Sequence, residues 1–199
     1  MENAELERVV AEVLKRLEAA PPSGAAPAAL GFVFKDLDAC VEASAAAQEE
    51  FQALGLGKRK AIIEAMRKAA VENAEPLARL AVEETRMGRA EDKVKKNLLV
   101  AAKTPGVECL ESRAYTGDDG LTLVEWAPFG VVAAIIPSTN PTATVINNSI
   151  SILAAGNSVI FSPHPAATRC SREAMRLLNE AIAGAGGPKN LITTADPAS

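Results

Sequence analysis

One histidine, one tryptophan and one tyrosine stand among 199 residues, and aromatic side chains make up only 4% of the chain. With His164 as the sole histidine there is no Ser/His/Asp set, and neither a carboxylate pair nor a metal-ligand spacing occurs, so no metal site is predicted. Cysteine is scarce too. Cys40, Cys109 and Cys170 are an odd count without paired spacing, which excludes a disulfide framework and a zinc site. They read as small core residues, and Cys170, Ala174, Leu177, Leu178 and Ala181 share one helix stripe. An excess of positive charge is also missing: the net charge of -4 argues against a nucleic-acid surface. The clusters Lys58-Arg59-Lys60 and Lys93, Lys95, Lys96 lie beside acidic residues in helical patterns and read as solvated helix faces. No apolar run reaches the roughly 18 residues of a membrane span, and the N-terminus lacks a basic-then-apolar leader. A cytoplasmic protein without membrane contact is therefore expected. Finally, no Gly-x-Gly-x-x-Gly follows a strand; Gly184-Ala185-Gly186-Gly187 comes after a helix. Any nucleotide must be held otherwise, by strand-end loops and a helix N-terminus.

What is present is an α/β pattern in a chain of ordinary globular composition, 48% hydrophobic and 23% charged. The unbroken apolar run 131–136 suits a strand buried on both faces, and 158–161 is a second, shorter one. The segment between them has the length of a crossover helix, so both strands should run parallel. Asn140 is placed to cap that helix, Pro141 suits its first position, and Gly156 fits a left-handed stop. Two polar loops, Ser138-Thr139-Asn140 and Ser162-Pro163-His164, then leave the carboxyl ends of adjacent strands, where open α/β sheets bind ligands. A further helix over 166–183 and a third strand starting at 191–194 complete the series. The chain reaches Ser199 without another crossover, the pattern of the front part of a larger doubly wound domain.

Ahead of this lie other segments. Residues 1–20 form an amphipathic helix with Leu6, Val9, Val10, Val13, Leu14 and Leu17 on its stripe. Residues 21–31 are a Pro/Ala linker, and the globular part spans 32–199. A tethered short helix either folds back, self-associates, or docks its stripe into a partner's groove. Four helices follow, over 37–54, 58–73, 75–86 and 91–103, the first capped by Asp36 with Cys40, Val41 and Phe51 inward. Glu83, Glu84 and Arg86 read as surface or helix-pair charges. Around Gly117-Asp118-Asp119-Gly120 a hairpin is predicted within 111–127, packed on the core or paired with another subunit, with Trp126 anchoring its root.

Singly, the loop residues are weak signals; in combination they are specific. Pro-Ser-Thr-Asn-Pro-Thr at 137–142, Ile-Ser-Ile-Leu-Ala-Ala-Gly-Asn-Ser at 150–158 and Phe-Ser-Pro-His-Pro at 161–165 together closely resemble the CoA-acylating aldehyde dehydrogenases. The branch they resemble is that of the propionaldehyde and acetaldehyde dehydrogenases of bacterial microcompartments. Glu91-Asp92-Lys93, Asn97, the run Thr104-Pro105-Gly106-Val107-Glu108, Gly117-Asp118 and Pro128-Phe129-Gly130 are similar to that branch as well. The 1–20 helix with its linker is like the encapsulation peptides that carry such enzymes into a protein shell.

The resemblance implies a partial doubly wound, Rossmann-like parallel sheet with an N-terminal helical layer and a protruding β-hairpin of the oligomerisation element. It implies an enzyme that uses NAD and coenzyme A to turn a short-chain aldehyde, propanal or acetaldehyde, into acyl-CoA. In that family a cysteine thiolate attacks the aldehyde, hydride passes to the nicotinamide, and coenzyme A takes the acyl group. A side-chain amide in the loop matching 138–140 steadies the oxyanion. Asn140 is the candidate and Thr139 its competitor, because hydrolytic relatives place their asparagine one residue earlier. Cofactor-binding candidates are Ile136, Pro137, Ser138, Ser162, Pro163 and His164, the second loop lying along the adenosine ribose. Serine at 162, where hydrolytic relatives commonly have lysine, fits the acylating branch and disfavours a hydrolytic enzyme. None of the three cysteines matches the family's nucleophile, which falls beyond the position of Ser199, so this chain by itself is expected to be inactive. The partners implied are the aldehyde, a shell protein bound through residues 1–20 and further copies of the subunit. The alternative is a non-catalytic truncated module that docks to a shell or co-assembles with full-length subunits.

Overall fold

The computed structural model describes residues 31–196. From Gly31 onward the chain forms one compact unit. The helix expected over 1–20 and nearly all of the 21–31 linker lie outside the described residues.

Two residues after Gly31 the chain forms a short strand, β1 (Val33–Phe34), which the sequence pattern does not announce. Asp36 then caps α1 (Leu37–Ala53), its carboxylate accepting from Ala39 N at 2.9 Å. Helices α2 (Leu56–Glu72), α3 (Ala74–Thr85) and α4 (Ala90–Lys103) follow within about two residues of their expected bounds. After the hairpin β2 (Arg113–Gly117) and β3 (Gly120–Val124) come β4 (Val131–Ile136), α5 (Pro141–Ala154), β5 (Ser158–Pro163), α6 (Thr168–Gly184) and β6 (Ile192–Ala195).

The strand order is β1-β6-β5-β4, and every pairing is parallel. This is the expected α/β architecture. Helices α5 and α6, the crossovers, pack on each other; α5 also packs on β4 and β5, and α6 on β6. Helix α1 packs on β5 and β6 without substantial contact to α5 or α6, and so covers the opposite face. Helices α2, α3 and α4 form an outer layer on α5 and α6. The core lies where these layers meet: Phe51, Ile62, Ile63, Met66, Ile146, Ile150, Leu153, Phe161, Met175 and Leu178 are fully buried.

Several expectations need correction. β5 is buried on both faces, but β4 is not: Ala133 is exposed and Ile135 is 85% exposed. Among the described strands β4 is an edge strand, and from Ala133 to Ile136 exposed and covered residues alternate along it. Val41 faces outward at 41% exposure, whereas Cys40 and Phe51 point inward. Cys109 is exposed, unlike buried Cys40 and Cys170. Neither basic cluster is wholly solvated. Arg59 is buried against the end of α5, with its guanidinium 5.4 Å from the Phe51 ring, and Lys93 is 5% exposed. The hairpin turns where expected, with Gly117 opposite Gly120, but every residue of its two strands is exposed. Trp126, 71% exposed, anchors nothing among the described residues.

Candidate functional site

Parallel pairing decides the geometry of the site. Ile135 sits opposite Ser162 and Ile136 opposite Pro163, and His164 N donates to Ile136 O at 2.9 Å. The loops 137–140 and 164–167 therefore leave neighbouring strands on one edge. All the predicted site residues gather there. Ile136 and Pro163 are buried and form the floor; Ser138, Asn140 and Ser162 are half-buried; Pro137, Thr139 and His164 are exposed.

Asn140 departs from its expected capping role. It occupies the N-cap position of α5, and its carbonyl accepts from Thr144 N at 3.0 Å, but its side chain caps nothing. Instead its Oδ1 accepts from Lys96 Nζ of α4 at 3.0 Å. One turn earlier on α4, Lys93 Nζ donates to the carbonyl of Thr139 at 2.7 Å. Burial, with Lys96 adding, holds the Lys93 ammonium below the usual lysine range. Between these two lysines and the core, Asn97 is fully buried and joins both layers. Its Nδ2 donates to Ala74 O at 3.1 Å, and its Oδ1 accepts from Thr142 Oγ1 at 3.0 Å. At the far end of α4, Thr104 Oγ1 donates to Asn147 Oδ1 at 2.8 Å. Sequence reasoning missed this polar seam. Its signal was present: Lys93, Lys96 and Asn97 recur at the spacing that puts residues on one helix face.

A groove of about 270 Å³ opens between α4 and α5 beside this loop. Leu99, Val100, Ala143 and Thr144 supply its walls, and Lys96 and Asn140 border it. It thus brings apolar surface up to a carboxamide.

The second loop is fixed from its far side. His164 Nδ1 accepts from Ala166 N at 3.1 Å, so the ring proton must reside on Nε2. A short helical turn, Pro165–Ala167, leads into α6, whose first amides are capped by a side chain from another helix. Arg169 N and Cys170 N donate to the Glu84 carboxylate at 2.8 and 2.7 Å. A carboxylate there also complements the positive end of the helix dipole. Glu84, which reads in the sequence as a surface or helix-pair charge, is thus a helix-pair charge that ties the 162–167 connection to α3. Cys170 lies under this cap. Burial, reinforced by Glu84, pushes its thiol up to about 12, the reverse of what a nucleophile requires. Among the described residues no cluster of His, Cys, Asp or Glu can hold a metal ion, and no helix is long and apolar enough to cross a membrane.

Comparison with known proteins agrees with this fold. The chain is 52% identical to the acetylating acetaldehyde dehydrogenase EutE of Escherichia coli K12 over 98% of its own length and 41% of the relative's. It superposes on the propionaldehyde dehydrogenase from the Clostridium phytofermentans fucose utilisation bacterial microcompartment with a TM-score of 0.82, at 48% identity, covering 84% of this chain and 39% of that one. For the Rhodopseudomonas palustris propionaldehyde dehydrogenase with bound propionyl-CoA the TM-score is 0.83, at 44% identity, with 91% and 41% covered. The chain thus spans about two fifths of the length of the relatives that it matches. The profile of the aldehyde dehydrogenase family fits residues 33–196, nearly every described position, and with half of the residues shared with an acetylating relative the chain belongs to that family.

Proposed function

We propose that this chain supplies the oxyanion loop and the adenosine-side loop of an NAD-dependent, CoA-acylating aldehyde dehydrogenase that converts propanal or acetaldehyde to acyl-CoA. The observation that carries this reading is the apolar groove bordered by Asn140. A short aldehyde lying there sets its alkyl group against Leu99, Val100 and Ala143 and its carbonyl toward the 138–140 loop. As the carbonyl carbon becomes tetrahedral, charge gathers on its oxygen, and a held amide N–H stabilises that charge at no further cost in reorganisation. Asn140 is the proposed donor; the exposed Thr139 hydroxyl, on the same loop, is the competing one. None of the chain's cysteines suits the nucleophile's part on present chemistry: Cys40 is buried against Thr193, Cys170 resists ionisation, and Cys109 follows α4, away from both loops in sequence.

Ile136, Pro137, Ser138, Ser162, Pro163 and His164 are proposed to hold the adenosine half of NAD. The fit rests on His164, whose proton-bearing Nε2 is left to donate to a ribose hydroxyl because Nδ1 is engaged by the backbone. When bound, the nicotinamide supplies the hydride acceptor, and coenzyme A is the acyl acceptor. The test is an assay of the gene's product with aldehyde, NAD and coenzyme A together. NADH and acyl-CoA should form in equal amounts and only when coenzyme A is present; carboxylate formed without it would overturn the reading. Residues 1–20 are proposed to dock to a microcompartment shell, supported by their apolar stripe and by the microcompartment origin of the Clostridium relative. Deleting them should abolish co-purification with shell proteins and spare catalysis; retained co-purification would refute the assignment.

A further inference from the structure

Lys96 has a role that its exposed position on α4 conceals. An ammonium has donors and no acceptor, so the end of the Asn140 carboxamide facing it at 3.0 Å must be the oxygen. The amide NH₂ is then turned away from Lys96, and among the described residues it makes no hydrogen bond. An asparagine without such a partner presents either end to a neighbouring group, and half of those orientations offer an acceptor where an oxyanion needs a donor. One turn away, Lys93 holds the backbone of the same loop through the Thr139 carbonyl at 2.7 Å. The two lysines thus hold adjacent parts of one loop: Lys93 its backbone at Thr139, and Lys96 the side chain of Asn140.

We propose that Lys96 is the positioning residue for Asn140, fixing its amide so that Nδ2 is the end presented to the developing oxyanion. A cation on Oδ1 also polarises the amide and makes its N–H a stronger donor. The proposal rests on the reading of Asn140 as the oxyanion donor, and the experiment separates the two. Lys96→Met removes the donor and keeps the stem; Lys96→Arg keeps a cationic donor. Both sit on an exposed position, so folding is not at stake.

In the 199-residue chain labelled with nitrogen-15, Lys96→Met should shift the Asn140 side-chain amide resonances, and Lys96→Arg should largely restore them. Unmoved resonances would overturn the proposal. In the gene's product, Lys96→Met should lower kcat on the order of 10-fold, less than the loss of an oxyanion donor itself. The KM for aldehyde should stay within about twofold, and Lys96→Arg should recover most of the rate. Because Lys96 acts only through Asn140, adding Lys96→Met to Asn140→Ala should cost nothing further. If Asn140→Ala is slow and Lys96→Met is not, the proposal falls and the Asn140 reading stands. If Asn140→Ala keeps full kcat, or the gene's product turns over no aldehyde, the reading falls and takes the proposal with it.

Discussion

His164 and Asn140 were both legible as residue types, and neither was legible as an orientation. For His164 the backbone N–H of Ala166 settles the matter by taking Nδ1, a contact made within the loop itself. For Asn140 it is settled by a lysine 44 positions away in sequence, which no local pattern encodes. A proton-bearing Nε2 on an exposed ring leads to a prediction. His164→Ala should weaken nucleotide binding in the enzyme roughly 3–10-fold, the worth of one hydrogen bond to a ribose hydroxyl. Loss of the contact to Ala166 costs about 0.5–1 kcal/mol, the low end for a capping side chain, in an exposed turn. A nucleotide titration reads the first effect, and unchanged affinity would remove His164 from the site.

At the scale of elements, caps and stops were written locally, and the links between helices were not. Asp36, Gly117, Gly120 and Gly156 act where the sequence puts them. Gly156 has φ +87°, which suits glycine, and a Cβ there would also lie 3.0–3.1 Å from the Arg59 guanidinium. Its carbonyl accepts from Gln48 Nε2 at 2.9 Å, which ties the end of α5 to α1. Gly156→Ala should therefore destabilise the chain by about 1–3 kcal/mol, from left-handed strain and from displacement of Arg59. Denaturant unfolding measures it, and a loss below a few tenths of a kcal/mol would contradict the close approach. The seam between α4 and α5 is the opposite case. Lys93, Lys96 and Asn97 carry helix periodicity and charge, which describes a solvated face as well as it describes a strut. Only packing tells which lysine is stripped of water.

At the scale of the whole molecule the exposed apolar surface stands out. Leu121, Leu123, Trp126, Phe129 and Ile135 are between 56% and 96% exposed, on the hairpin, on β4 and on the segment that joins them in sequence. Apolar surface of this kind marks an interaction site. The two leucines alternate along β3 and so share a face. At micromolar concentration the chain should sediment above its 20.7 kDa protomer mass, and Leu121→Lys with Leu123→Lys should reduce that association. A monomeric parent chain would refute this. The same surface explains why β4 and Trp126 were misjudged: an apolar run states that burial is favourable and does not state what supplies the cover.

The sequence by itself determined the elements other than β1, the parallel pairing of the later strands and the two loops on one edge of their sheet, because periodicity, turn residues and crossover length are local quantities. Its motif pattern also determined the family. Which side chains are desolvated, which amide end faces Lys96, and which strand face stays open were decided only by the tertiary structure. Each depends on groups far apart in the chain, and hydrogen-bond orientation and burial exist only once those groups meet.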